Sequence, residues 1–266
     1  MDLLELLGFV GAFIMGVVLG LVGGGGSILT VPVFVYLMSI TPVTATAYSL
    51  FVVGSASFVG AFQNMKKGIV DYRTAIVFAT PAFAAVYVTR KFIVPAIPEN
   101  LFSVGDFTLT KDVGLMLFFA ILMLVASFSM IRSNSKEDVE RGAVQYNYPL
   151  IIIEGLLIGI FTGLIGAGGG FLIIPALVIL AKLPMKKAVA TSLLIIAIKS
   201  LIGFIGDVEN MEIDWPFLLF FTGLSIVGIL VGTWLSKFIE GKNLKKGFGW
   251  FVLLMGIYII IREFSA

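Results

Sequence analysis

The sequence predicts an all-α polytopic membrane protein built from two homologous halves. Of its 266 residues, 59% are hydrophobic and only 13% are charged, about half the charged share of an average soluble domain. The mean hydropathy is +1.09, and the apolar residues form runs of roughly 20, long enough to cross a bilayer as helices. The second half of the chain also repeats the first. These features exclude a water-soluble enzyme of this size.

Eight apolar runs are long enough to be membrane helices. They lie near 3–22, 44–63, 74–94, 112–131, 149–165, 187–206, 215–236 and 247–262. Two shorter apolar pieces, 28–39 and 171–181, follow glycine-rich turns and contain Pro32 and Pro175. At about 11 residues each they are short for a full crossing. The pattern therefore predicts about 8–10 membrane segments, and it leaves open whether the two short pieces cross the bilayer or are re-entrant.

Polar stretches separate these runs and divide the chain. The segment 95–111 contains two prolines and a Gly-Asp turn, which predicts a folded, exposed loop. The only long polar stretch, 132–148, is interpreted as a cytoplasmic linker between a first membrane repeat (1–131) and a second, inverted repeat (149–266). The N-terminus carries two acids and no positively charged region, so it is interpreted as the start of the first span rather than as a cleaved signal.

The internal repeat is visible at a shift of 143 residues. This shift aligns GLVGGGGSILTVP at 20–32 with GLIGAGGGFLIIP at 163–175, and 16 of the 53 positions over 20–72 are identical. The same register pairs serines, glycines and aspartates, such as Asp71 with Asp214. Because these residue types coincide without a gap, we interpret the two halves as a duplication.

The charges of equivalent loops predict that the two halves are inverted. The loop 64–73 contains three basic residues, whereas its counterpart 207–214 contains four acids and no base. With the N-terminus outside, 13 of the 18 Lys and Arg residues fall on inside loops, as the preference for positive charge in the cytoplasm requires. An inverted-topology repeat is typical of secondary transporters, which bind their substrate near the midplane at the repeat interface.

The two glycine clusters are the first candidates for substrate binding. Consecutive glycines do not sustain a helix, since each costs about 1 kcal/mol relative to Ala, and a broken backbone at membrane depth must be buried in protein or face water. Its N–H groups, beside the start of a following helix, would bind an anion; the alternative is close helix packing. The candidates are Gly23, Gly24, Gly25, Gly26, Ser27, Gly166, Gly168, Gly169 and Gly170.

Lys199 is the second candidate. It lies about 12 residues, roughly 18 Å, into its span, and an intramembrane lysine is a functional hypothesis by default. Its repeat equivalent is Ala56, so the charge is asymmetric and would mark one pole of an anionic substrate or a proton-linked group. The alternatives are a lysine that extends to the membrane surface and one that pairs with an acid such as Glu154.

Ser49 and Ser192 are equivalent positions in the repeat and complete the candidate set. Ser192 precedes Lys199 by seven residues, which places both on one helical face, so they could line the same cavity. The two serines would supply neutral hydroxyl donors from opposite halves. Alternatively, each hydroxyl bonds to a carbonyl of its own helix.

Several classes of chemistry lack the residues they need. The chain has no cysteine and no histidine, which removes disulfides, thiolate metal sites and the usual proton shuttle. No metal, cofactor or catalytic residue is predicted, and a net charge of +2 does not favour nucleic-acid binding. A membrane-embedded enzyme would need converging acids, histidines or a nucleophile–base pair, so we predict that the protein is not an enzyme.

The doubled glycine motif, followed each time by A-x-A-x-S-L, resembles the TauE/SafE sulfite exporter family, also called the toluene sulfonate uptake permeases. The resemblance runs from about residue 8 to 262. It implies a multi-pass permease of the cytoplasmic membrane for sulfur-containing anions such as sulfite, sulfoacetate or thiosulfate. The family's glycine motifs fall on Gly23, Gly25, Gly26, Gly166, Gly168, Gly169 and Gly170 of this chain.

These observations predict a secondary transporter that moves a small sulfur-containing anion by alternating access. No Walker motif is present, so a proton or sodium gradient is the expected energy source, with Lys199 and Glu154 as the ionisable candidates for coupling. The alternatives are a passive anion channel and a carboxylate transporter of the same fold.

Overall fold

The computed structural model describes residues 3–104, 107–132, 148–179, 181, 183–236, 238 and 241–265. Within these ranges the chain is almost entirely helical, with eight long helices. They are α1 (Leu3–Val22), α2 (Pro42–Lys66), α3 (Tyr72–Val88), α4 (Lys111–Arg132), α5 (Tyr148–Ile165), α6 (Met185–Val208), α7 (Trp215–Leu235) and α8 (Gly241–Ser265). All eight predicted membrane runs are helices, which confirms the all-α polytopic membrane fold. Of the predicted linker 132–148, residues 133–147 lie outside the described ranges.

Length and composition support the membrane assignment. Six helical stretches of the described chain are long and apolar enough to cross a bilayer. They are Leu4–Val22, Pro42–Lys66, Tyr72–Ala96, Lys111–Phe128, Lys186–Val208 and Trp215–Leu235. Their outward faces expose large apolar side chains, for example Ile76, Phe128 and Leu219, as expected where lipid replaces water.

Two short segments follow the glycine motifs, as the sequence predicts. The first consists of a 3₁₀ turn (Gly24–Leu29), an α-helical turn (Thr30–Pro32) and a π turn (Val33–Leu37). The second is the α-helix Gly170–Ile179. At 1.5 Å per residue, this 10-residue helix extends about 15 Å, half the thickness of a hydrocarbon core.

Local sequence explains where several helices begin and end. Asp71 and Asp214 cap α3 and α7, because their carboxylates accept hydrogen bonds from the backbone N–H groups of Thr74 (2.8 Å) and Phe217 (3.1 Å). The α3 helix continues through a π turn (Thr89–Ile93) and a final α-helical turn (Val94–Ala96). The predicted loop 95–111 contains an antiparallel hairpin, β1 (Asn100–Val104) and β2 (Phe107–Thr110), whose strands the sequence did not predict.

The helices of the two halves pack against each other in reciprocal pairs. With the shift of 143 residues, α1 to α4 correspond to α5 to α8. The α1 helix packs on α7, and correspondingly α5 packs on α3; α3 also packs on α6, and correspondingly α7 packs on α2. The equivalent helices α2 and α6 contact each other directly, as do α4 and α8 and the two short segments. The core therefore lies between the halves rather than within each of them.

Candidate functional site

The two glycine motifs meet in the interior of the helix bundle. Gly23 and Gly166, which are equivalent in the repeat, end α1 and α5 with φ of 77° and 72°. These values lie in the left-handed region that glycine adopts without strain. A β-carbon on Gly24 would overlap the Cα of Gly170, and a β-carbon on Gly170 would overlap the Cα of Gly24. The two chain breaks are thus in direct backbone contact, and only glycine permits this close approach. We call this contact between the two glycine motifs the glycine junction.

Further contacts place this junction beside the middle of α2 and α6. A β-carbon on Gly168 would lie 2.5 Å from the side chain of Val53 in α2 and 3.3 Å from that of Ile196 in α6. Val53 and Ile196 are equivalent in the repeat and lie near the centres of helices of 25 and 24 residues. Gly25 lies within the 3₁₀ turn Gly24–Leu29, and Gly26 lies against the backbone of Leu19.

Lys199 is buried at this junction, with 1% of its surface exposed. Its ammonium donates a hydrogen bond of 2.8 Å to Thr162 Oγ1 on α5. A β-carbon on Gly169 would lie 2.9 Å from Lys199 Nζ, so the charge lies directly beside the second glycine motif. Among the described residues no acid pairs with this lysine. The structure thus favours neither the surface-reaching lysine nor the pairing with Glu154 that the sequence left open.

The three predicted serines differ in how their hydroxyls are bonded. Ser27 Oγ donates to the Gly24 carbonyl (2.7 Å), and Ser192 Oγ donates to the Val189 carbonyl of its own helix (2.8 Å). The hydroxyl of Ser49 is buried and makes no hydrogen bond within the described part of the chain. Buried polar groups normally have a partner, so Ser49 is the member of this set whose hydroxyl is available to a ligand.

Three polar residues of this region were not predicted from the sequence. Thr162 holds the lysine, yet it aligns with Leu19 in the repeat and has no sequence signal of its own. Ser57 and Ser200 are equivalent in the repeat, and both hydroxyls are buried with no hydrogen-bond partner among the described residues. They lie on α2 and α6 near the point where Gly54 packs against Leu201. Their coincidence in the repeat is the signal that could have identified them.

The halves are also joined by a reciprocal pair of hydrogen bonds near the two loops used to infer orientation. The backbone N–H of Asp71 donates to Thr191 Oγ1 (3.0 Å), and the backbone N–H of Asp214 donates to Tyr48 Oη (2.8 Å). The shift of 143 residues converts one bond into the other, since 71 corresponds to 214 and 48 to 191. Each bond connects the N-cap residue of α3 or α7 in one half to α6 or α2 in the other half.

The first acid of the predicted loop 207–214, Asp207, is buried instead of lying in an exposed loop. Its carboxylate is buried, with Oδ2 lying 3.2 Å from Nε of Arg90, which is itself fully buried. The next acid, Glu209, forms an exposed ion pair of 2.9 Å with Lys91. The segment folds this way because Asp207 is still within α6, which the sequence analysis ended near residue 206.

A cavity of about 310 Å³ lies at the end of the bundle where α1, α2 and α7 begin. Its lining residues are Glu5, Met38, Ile40, Thr44, Tyr48, Asp214 and Phe217, and it contains none of the predicted site residues. Below it, Phe34 is fully buried and packs on the rings of Tyr48 and Phe217, with centroids 6.0 and 6.1 Å away.

Comparisons with known proteins support a transporter. The chain is 29% identical over 261 residues to a probable membrane transporter protein of Xylella fastidiosa strain 9a5c, covering 95% of this chain and 94% of that protein. It is 27% identical over 272 residues to the probable membrane transporter protein YunE of Bacillus subtilis strain 168, covering 94% of this chain and 95% of YunE. No solved structure matches. The family model described as sulfite exporter TauE/SafE matches residues 8–259, so this multi-pass membrane protein belongs to the TauE/SafE family.

Proposed function

We propose that this protein is a secondary transporter of the cytoplasmic membrane that moves small sulfur-containing anions, sulfite or organosulfonates, by alternating access. The observation that carries this proposal is Lys199, a buried positive charge beside two broken helices with no acidic partner among the described residues. The sulfur chemistry of the substrate is suggested by the description of the family.

The environment of Lys199 favours an anion as its missing partner. A buried ammonium with only a neutral hydroxyl as partner is costly, because the charge has lost its hydration. A sulfite or sulfonate group at Gly169 would neutralise this charge at the point where the two glycine motifs meet. Backbone N–H groups that begin the short segments would contribute further donors, and the Ser49 hydroxyl would supply a neutral one.

The reciprocal packing of the two halves supports alternating access through an inverted repeat. The contacts between long helices of opposite halves come in pairs that are related by exchanging the halves. Such an arrangement has two related states, in which the bundle opens toward one face or the other around a central site. A proton or sodium ion would drive the cycle, with Lys199 and Glu154 as the ionisable groups to test.

The test is counterflow of radiolabelled sulfite in proteoliposomes containing the purified protein. We expect the wild type to accumulate label against unlabelled internal sulfite, and Lys199→Ala to lose at least nine-tenths of this activity while it remains folded. Lys66→Ala, which removes an exposed lysine at the end of α2, is the matched control and should transport normally.

Competing unlabelled anions then rank the substrates. Inhibition by sulfonates but not by acetate supports the sulfur-anion assignment, whereas inhibition by carboxylates alone would replace it with a carboxylate transporter. Steady single-channel current without counterflow would establish a passive anion channel. Normal counterflow in Lys199→Ala would remove the lysine from the anion site.

A further inference from the structure

Arg90 is a second buried cation in the bundle, and its guanidinium is incompletely bonded. The side chain is fully buried, and its only ion pair within the described chain joins Nε to Asp207 Oδ2 at 3.2 Å. Nη1 and Nη2 are buried and make no hydrogen bond to any residue that the structure describes. A guanidinium carries five N–H donors in a planar fork that suits two oxygens of an oxyanion. Arg90 therefore has several donors left for a ligand.

The position of Arg90 relates it to Lys199. Gly206 on α6 packs against Arg90, since a β-carbon on Gly206 would lie 3.2 Å from Arg90 Cβ. Gly206 follows Lys199 by seven residues, which corresponds to the same helical face and about 10 Å along the axis. On the other side, Thr89 packs against Gly163 of α5, the neighbour of the threonine that holds Lys199. Arg90 thus lies about two helical turns beyond Lys199 along α6, and its neighbour Thr89 reaches the part of α5 that holds Lys199.

The repeat shows that the scaffold itself does not require this ion pair. The equivalents of Arg90 and Asp207 in the other half are Thr233 and Asn64, which are both buried and uncharged. A buried ion pair stabilises a fold little compared with apolar packing. The ion pair occurs where α3 meets α6 but not at the reciprocal contact of α7 with α2. This asymmetry points to a function at the contact between α3 and α6.

We propose that Arg90 is a second anion-binding residue of the transport path, at the end of the bundle where α6 ends. In this structure the carboxylate of Asp207 takes the place of the transported anion at Arg90. This inference rests on the proposed function. As the anion moves from Lys199 along α6, it displaces the carboxylate of Asp207 from Arg90. The displaced carboxylate leaves α6 free to separate from α3, which opens this end of the path.

The test is the affinity of the purified full-length protein for sodium sulfite, measured by equilibrium binding of radiolabelled sulfite in detergent. Asp207→Asn removes the competing carboxylate and preserves the side-chain shape, so we expect sulfite to bind about tenfold more tightly. Arg90→Gln added to Asp207→Asn should abolish this gain. Arg90→Lys added to Asp207→Asn, which keeps the charge but loses the fork, should retain only part of it.

Glu209→Gln is the matched control, because it removes an exposed acid two residues away from Asp207 without touching Arg90. If Glu209→Gln raised the affinity for sulfite by a similar factor, the cause would be a general electrostatic effect, and the proposal would be overturned. An unchanged affinity in folded Asp207→Asn would overturn it as well, and would leave Arg90 and Asp207 as a structural pair. If these variants behave as expected but the wild type shows no counterflow, the anion site stands and the transport function fails.

Discussion

The hydrogen bond from Lys199 to Thr162 joins α6 of the second half to α5, the helix that ends at the second glycine motif. Thr162 also donates its own hydroxyl proton to the Gly159 carbonyl, at 3.3 Å. Its oxygen is therefore oriented to accept from the ammonium. This arrangement fixes the position of the charge beside Gly169, and it makes Thr162 a positioning residue for Lys199.

We expect Thr162→Val to lower the free energy of unfolding by about 1–3 kcal/mol, because the buried ammonium loses its acceptor while the side-chain shape is nearly kept. Thr162→Ser should retain most of the stability. Thermal or denaturant unfolding in detergent measures both variants. Sulfite should stabilise Thr162→Val more than it stabilises the wild type, since the anion then supplies the missing partner. Equal stability of all three proteins would mean that the hydrogen bond has no role.

At the scale of the elements, the contact between Gly24 and Gly170 holds the two short segments together. We expect Gly24→Ala to reduce both the folded yield and sulfite counterflow severely, because the added methyl overlaps the backbone of Gly170. Forced overpacking costs typically about 1–3 kcal/mol, and here it would also displace the segments that line the proposed site.

Gly223→Ala is the matched control for this substitution. Gly223 lies within α7, and a β-carbon there would meet no atom within 4 Å. Alanine in an open helical position is favoured over glycine by about 1 kcal/mol, so this variant should be as stable as the wild type or more stable. A fully active, normally folded Gly24→Ala would contradict the packing described for the junction.

The same elements show why part of the molecule was predictable. The eight long helices follow from apolar runs and the short segments from glycines, because both are local properties of the sequence. The hairpin of β1 and β2 was not predicted, since its strands of five and four residues carry no periodic signal of useful length. The π turn that contains Arg90 extends α3, and its burial depends on α6, which is distant in the sequence.

The candidate site was predictable to the same extent. The glycine motifs stood out because consecutive glycines do not sustain a helix, and Lys199 stood out because charges are rare in membrane helices. The sequence did not distinguish Ser49 from Ser192, which occupy equivalent positions in similar helices. The difference arises from tertiary structure: Ser192 bonds to a carbonyl of its own helix, whereas Ser49 does not. The pairing of Arg90 with Asp207 likewise requires knowing which helices meet.

At the scale of the whole molecule, the inverted orientation of the halves stays a prediction, and it has a direct test because the chain contains no cysteine. Lys67 and Asn210 are equivalent in the repeat, and each lies exposed just after the end of its helix, α2 or α6. Single cysteines at the two positions, Lys67→Cys and Asn210→Cys, therefore report on the same structural site of each half.

We expect a membrane-impermeant maleimide to label Asn210→Cys in intact cells and Lys67→Cys only after the membrane is permeabilised. The reason is the charge distribution: the loop that begins near Lys67 carries basic residues and is expected inside, whereas the loop near Asn210 carries acids and is expected outside. The cysteine-free parent gives the background, and a permeant maleimide confirms that both thiols react. Labelling of both cysteines from the same side would mean that the halves are parallel. The proposed alternating access between two inverted halves would then have no structural basis, even though the reciprocal packing of the helices would remain.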